Sequence, residues 1–168
     1  MRFSDEVCSL IVSDMKPTFD IVAEPREQTY IDLLNFAASR CTSFSLVWRD
    51  QFKFEQSAYD IKHALKPFLL SNDRANEWPG TKLIGHEALV RRYKVADESV
   101  KLLRAAGGLY AWLQPKLPED LAFYTSENKV WLASISHEAQ AWFLDESLRA
   151  AEIYAYVPKI KIEAFTEW

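Results

Sequence analysis

Residues 112–142, WLQPKLPEDLAFYTSENKVWLASISHEAQAW, decide the fold. Pro115 and Pro118 stiffen the entry to this stretch. Two apolar runs follow, Leu121 to Thr125 and Lys129 to Ser136, split by Ser126-Glu127-Asn128. That pattern predicts an antiparallel hairpin at the heart of a sheet. The flanking sequence reads as its cover.

Working back towards the start, Lys82 to Ile84 and Ala88 to Val95 read as strand, interrupted at Gly85-His86-Glu87 by a turn or bulge. Asp97 reads as the cap of a helix whose stripes run through Val100, Leu103, Gly107 and Tyr110. Gly107-Gly108 in mid-helix costs roughly 1 kcal/mol per glycine, so a close backbone approach, most simply by the sheet, is expected there. Ser71 to Gly80 reads as a polar loop, ending in Pro79-Gly80, which suits a type II turn and holds Trp78 rigidly beside it. Tyr30, Leu33, Leu34, Ala37 and Cys41 lie at helical spacing behind Glu27. Phe44, Leu46 and Trp48 alternate as a strand. Ala58, Ile61, Leu65 and Phe68 form another helical stripe, with Ser57 as its N-cap and Pro67 as its stop. Val7 to Val12 and Phe19 to Ala23 read as short strands.

Working forward from the hairpin, Asp145 caps a short helix through Leu148, Ala151 and Ile153, and Lys159 to Ala164 alternates as an edge strand. Strands and helices neither alternate nor segregate. The expectation is one α+β domain over residues 1–168, a mainly antiparallel sheet with helices packed on one face.

The chain has 168 residues, 49% hydrophobic and 26% charged, which excludes disordered and fibrous classes. Its net charge of −4 argues against a nucleic-acid partner, which requires a basic face. No run is long enough to span a membrane. Cys8 and Cys41 have no CxxC spacing, so they read as reduced, structural thiols in a cytoplasmic protein. The excess lies in aromatic residues: six Trp, seven Tyr and ten Phe. Between Leu117 and Glu152 there are seven acids and two bases, a balance that suits a basic partner.

Catalytic constellations are sparse. His86-Glu87 and His137-Glu138 lack a second histidine four residues on, so the spacing points to no metal site, and no cofactor is expected. Ser134, Ser136 and His137 lack a nucleophile elbow, and Ser136 reads as a hydrogen-bonding residue at a strand end. Glu119-Asp120 reads either as a carboxylate pair or as a cap for backbone amides. Four glycines supply no phosphate loop.

Tyr30-Ile-Asp-Leu-Leu-Asn-Phe-Ala, Phe44-Ser-Leu-Val, Glu77-Trp-Pro-Gly-Thr, Trp112 with Pro115, Leu117-Pro-Glu-Asp-Leu and Ser136-His-Glu together resemble a family of small uncharacterised bacterial cytosolic proteins. The resemblance covers roughly Tyr30 to Trp142. By size, charge and aromatic richness, proteins of this kind are similar to immunity proteins, which neutralise a toxin domain by binding it. The resemblance implies a non-enzymatic protein whose partner is a basic toxin domain. On the residue reading, its interface comprises Trp78, Glu119, Asp120, Glu127, Trp131, His137, Glu138, Trp142 and Asp145, and a surface of this kind also serves a homodimer. The alternative is a small hydrolase-type or metal-dependent enzyme with a pocket around Trp78, Glu119, Asp120, His137 and Glu138.

Overall fold

A computed structural model describes residues 16–166 and the backbone of Glu6 and Val7. Its centre is the hairpin read from the sequence, β8 (Glu119–Tyr124) and β9 (Val130–Ile135). Every residue of β8 is buried, so this strand lies inside the sheet with both faces covered. β10 (Gln140–Phe143) continues the meander from β9. On the other side β8 pairs with β3 (Ser43–Trp48), β3 with β7 (Ala88–Lys94), and β7 with β4 (Leu69–Ala75). β2 (Phe19–Ile21) lies between β10 and β11 (Ile162–Ala164), completing an eight-stranded antiparallel sheet of order β11-β2-β10-β9-β8-β3-β7-β4.

Four helices cover one face, as the sequence predicts: α1 (Glu27–Arg40), α2 (Gln56–Leu65), α3 (Asp97–Arg104) and α4 (Ala150–Tyr156). α1 turns Tyr30, Leu33, Leu34, Phe36 and Ala37 onto Phe44, Leu46, Phe123, Trp131 and Phe143. Phe36 meets Trp131 edge to face, with ring centres 4.9 Å apart. Tyr30 donates to Leu103 O at 2.7 Å and accepts from Trp112 Nε1 at 2.9 Å, which joins α1, α3 and the connector into β8.

The opposite face carries a second, small layer. β5 (Glu77–Trp78) and β6 (Thr81–Leu83) form a hairpin, and β1 (Glu6–Val7) pairs with β6. Trp78 and Leu83 bury Val47 and Ala88. Gly80, at φ 86°, supplies the positive φ expected of the Pro79-Gly80 turn. A Cβ on Gly80 would stand 3.0 Å from Ile135 Cγ1 and 3.1 Å from Trp142 Cη2, so the turn is pressed directly onto this face.

Several expectations need correction. Ser71 to Gly80 is not a loop: β4 pairs with β7 from Leu69 to Ala75, and polar residues are accommodated because an edge strand needs only its backbone partner. α3 stops at Arg104, so Gly107 and Gly108 lie beyond it. The groups that approach them belong to the segment entering α1: Glu27 N donates to Gly107 O at 3.0 Å, Arg26 forms an antiparallel bridge with Gly108, and a Cβ on Gly108 would meet the side-chain oxygen Glu24 Oε1 at 2.9 Å. Asp97 stands in the first turn of α3, and the capping hydroxyl is that of Ser99, which accepts from Ala96 N at 2.9 Å. Ser57 lies inside α2 and donates to Lys116 O. Asp145 does not cap α4; it accepts from the amide and hydroxyl of Ser147 in a tight turn. The strand read over Val7 to Val12 lies, beyond Val7, outside the described residues.

Candidate functional site

Three sequence motifs that lie far apart in the chain meet at Asp120. Its Oδ2 accepts from Trp78 Nε1 at 2.8 Å, and its Oδ1 accepts from Ser136 N at 3.0 Å. Glu77 to Thr81, Leu117 to Leu121 and Ser136 to Glu138 are thereby tied to one carboxylate. The tie depends on an irregularity in β8. Asp120 adopts φ 58°, and the register with β3 slips so that Ala122 faces Ser45 while Glu119 faces Val47. In a regular strand neighbouring side chains point to opposite faces. A bulge re-aims one of them, and here it brings both carboxylates to the same place. Ligand atoms of Glu119, Asp120 and His137 lie within 4.8 Å of one another.

The cluster has an inner and an outer part. Glu119 and Asp120 are each 2% exposed. His137 stands on the short turn Ser136–Glu138 at the end of β9, with its side chain 32% exposed and Nε2 3.7 Å from Glu138 Oε1. Ala139, at φ 52°, ends that turn and sends the chain into β10. Chemically, the arrangement is two buried carboxylates capped by a part-exposed imidazole, a donor set for proton transfer or cation binding. Ser136 is buried and its hydroxyl has no hydrogen-bond partner. The backbone contact expected of Ser136 is made instead by Ser134, whose hydroxyl donates to Leu121 O at 2.7 Å.

The remaining acids of this region are at the other end of the hairpin. Glu127 belongs to the β8–β9 turn and Asp145 to the loop after β10. They border an open groove of about 500 Å³ lined by Ser126, Lys129, Leu144, Glu146 and Ser147 among others. Six residues of strand separate this groove from His137, roughly 20 Å at 3.3 Å per residue. The residues expected to share one interface therefore divide into two groups. The tryptophans belong to neither surface: Trp78, Trp131 and Trp142 are 5%, 0% and 8% exposed. Trp131 fills the helix-side core, Trp142 packs with Ile135 on the opposite face, and Trp78 anchors the small hairpin. Their side chains serve the scaffold, because rings this large stabilise most when fully withdrawn from water.

The sequence reading did not include Ser136 or Glu146 among the site residues. Glu146 carried a signal, standing next to Asp145 in the acid-rich run. Ser136 stands in the Ser136-His-Glu motif, but the isolation of its hydroxyl depends on tertiary packing, which the motif does not show. Among the described residues no helix is long and apolar enough to cross a membrane. Comparison with family models, curated proteins and solved structures returns no match.

Proposed function

We propose that the protein is a non-enzymatic binding module of the immunity or antitoxin type, acting in the cytoplasm on a basic protein partner. The observation that carries this reading is the groove at the turn end of β8–β9. Glu127, Asp145 and Glu146 border it, against Lys129 alone of opposite sign. Lys129 is itself engaged by Glu127 at 3.2 Å. The groove is presented by a hairpin anchored in the core, so docking loses little backbone freedom. Carboxylates on such a rim steer a cationic surface into place and set the orientation of the complex.

The test is affinity purification of the tagged protein from its host, with the retained proteins identified by mass spectrometry across a salt series. A basic partner retained by the native protein, weakened by salt and lost on Glu127→Lys with Glu146→Lys, is the expected result. A partner that binds the doubly reversed variant equally well would overturn the assignment of the groove. Retention only of further copies of the chain would replace the partner with a homodimer.

The convergence of Glu119, Asp120 and His137 favours a second reading, a small hydrolase-type or metal-dependent enzyme. In it His137 exchanges protons with substrate and the buried carboxylates orient and charge-balance it. A hydrolase substrate screen in which turnover disappears on His137→Ala would support this reading, and activity untouched by that substitution would exclude it.

A further inference from the structure

We propose that Lys62 and Arg91, set around the Trp48 ring, form a binding site for a phosphate-type oxyanion, either free or carried on a small planar ligand. The site joins α2 to β3 and β7 and stands independently of the acidic groove at the β8–β9 turn.

The first support is placement. Lys62 Nζ stands 5.4 Å and Arg91 Cζ 5.8 Å from the centre of the Trp48 ring, at the end of β3. Lys62 is held below its ordinary pKa first by burial and then by the charge of Arg91, so the two cations are close enough to repel. A ring face attracts a cation through its quadrupole but carries no net charge, and it does not balance the pair. The second support is the lack of a matching acid. Among the described residues neither Lys62 nor Arg91 has an ion pair. Arg91 faces Leu46 on β3 and Asn72 on β4, both uncharged. Asp60, the one acid within α2, stands two positions from Lys62 and therefore on another side of the helix, where it accepts from Gln56 at 2.9 Å. Asp50 is taken by Arg74 at 2.6 Å. The Tyr93 hydroxyl lies beside Arg91, but burial keeps it protonated and neutral.

The third is the donor set. Arg91 Nε is buried with no hydrogen-bond partner, and buried donors are rarely left unmatched. A guanidinium offers its N–H groups as a planar fork that fits two oxygens of one anion, and an ammonium adds a point charge beside it. An oxyanion accepts from this edge of Arg91 once the half-buried side chain turns to meet it, and its charge relieves the repulsion from Lys62. The charge decides the class: a phosphate dianion matches two cations, whereas a carboxylate matches one. Ring surface lies alongside. Phe54 is 4.9 Å from Trp48 between ring centres, and Tyr59, 47% exposed, is 6.4 Å from both. Trp48 is itself buried, so Tyr59 is the ring on which a planar ligand can stack within reach of the cations.

The experiment titrates the full chain calorimetrically with inorganic phosphate, AMP and adenosine, in chloride buffer at low and at high salt. Lys62→Ala, Arg91→Ala and Tyr59→Ala are compared, each checked for native circular dichroism. Lys62→Ala, on the outer part of α2, preserves the test should Arg91→Ala disturb the sheet. The expected result is one phosphate or AMP per chain, weakened by salt, with affinity reduced by about 10-fold or more in Lys62→Ala and Arg91→Ala. Phosphate binding that is indifferent to Tyr59→Ala assigns the site to a free oxyanion. AMP binding tighter than phosphate, by a margin lost in Tyr59→Ala, assigns it to an oxyanion carried on a ring. Failure of the native chain to bind either anion, equal affinity for adenosine, or binding unchanged in Lys62→Ala would overturn the site. Because the titration needs no protein partner and no turnover, these outcomes are not confused with failure of the functional readings.

Discussion

Asp120 combines three features that rarely coincide in one residue: a left-handed backbone, near-complete burial and two hydrogen bonds to different elements. Positive φ is uncommon for a side chain other than glycine, costing about 1–2 kcal/mol, and aspartate is among the residues that tolerate it best. Here the conformation is what lets Glu119 and Asp120 face the same cluster. Replacing Asp120 with alanine removes the acceptor for Trp78 Nε1 and for Ser136 N, leaving two buried donors unmatched. We expect Asp120→Ala to lower unfolding free energy by about 2–4 kcal/mol, measured by urea denaturation. A loss below about 0.5 kcal/mol would mean that the small hairpin is held by its apolar contacts alone. The convergence around Asp120 was not legible in the sequence. Glu77 to Thr81, Leu117 to Leu121 and Ser136 to Glu138 each stood out, but what joins them is a strand register, and a slip of one residue in β8 leaves no local trace.

At the scale of elements, α1 was legible from its buried stripe at the helical period, and the β8–β9 hairpin from two continuous apolar runs split by Ser126-Glu127-Asn128. β4 was not, since Ser71, Asn72, Asp73 and Arg74 are strand-poor residues held in place by backbone pairing with β7. The second layer was read only as fragments, because strands of two and three residues give periodicity nothing to act on. The end of α3 was misread for a different reason: Leu109 and Tyr110 continue its apolar stripe, while Gly107 at φ 79° has already turned the chain away. Among the helices, α1 is tied most directly to its neighbours through the Tyr30 hydroxyl. Tyr30→Phe removes a donor to Leu103 O and an acceptor for Trp112 Nε1 without changing the ring's volume. A loss of about 1–3 kcal/mol in thermal or urea unfolding is expected, larger than for an exposed tyrosine.

For the molecule as a whole, the core sets a limit on the alkaline side. Burial pushes the Cys41 thiol up from 9.0 to about 12, with the charge of Asp145 adding to it. Burial likewise raises the Tyr110 hydroxyl from 10.0 to about 12, reinforced by Glu24. Both groups stay protonated in the folded chain at pH values where the unfolded chain releases their protons. Their contribution is therefore fully present below the ordinary values and is lost as pH climbs towards 12. Cys41 alone accounts for up to about 1.4 kcal/mol per pH unit inside that window. The urea midpoint should fall steadily between about pH 9 and 11, and a Cys41→Ala variant should show a shallower decline. A flat midpoint across that range would show that these groups ionise without opening the core.

The place of β2 has a consequence for how the chain is made. Thr18 donates to Phe143 O across 125 residues of sequence, and β2 finds its two partners only in β10 and β11. During synthesis Phe19–Ile21 emerges first among the strands of the large sheet and waits unpaired while nearly the whole domain is still being translated. Pairings of such long range close late and expose bare strand edges meanwhile. The closure of this flank therefore waits for β10 and β11, and a ribosome stalled before Gln140 would display a nascent chain open along the flank of β9 that β10 later covers.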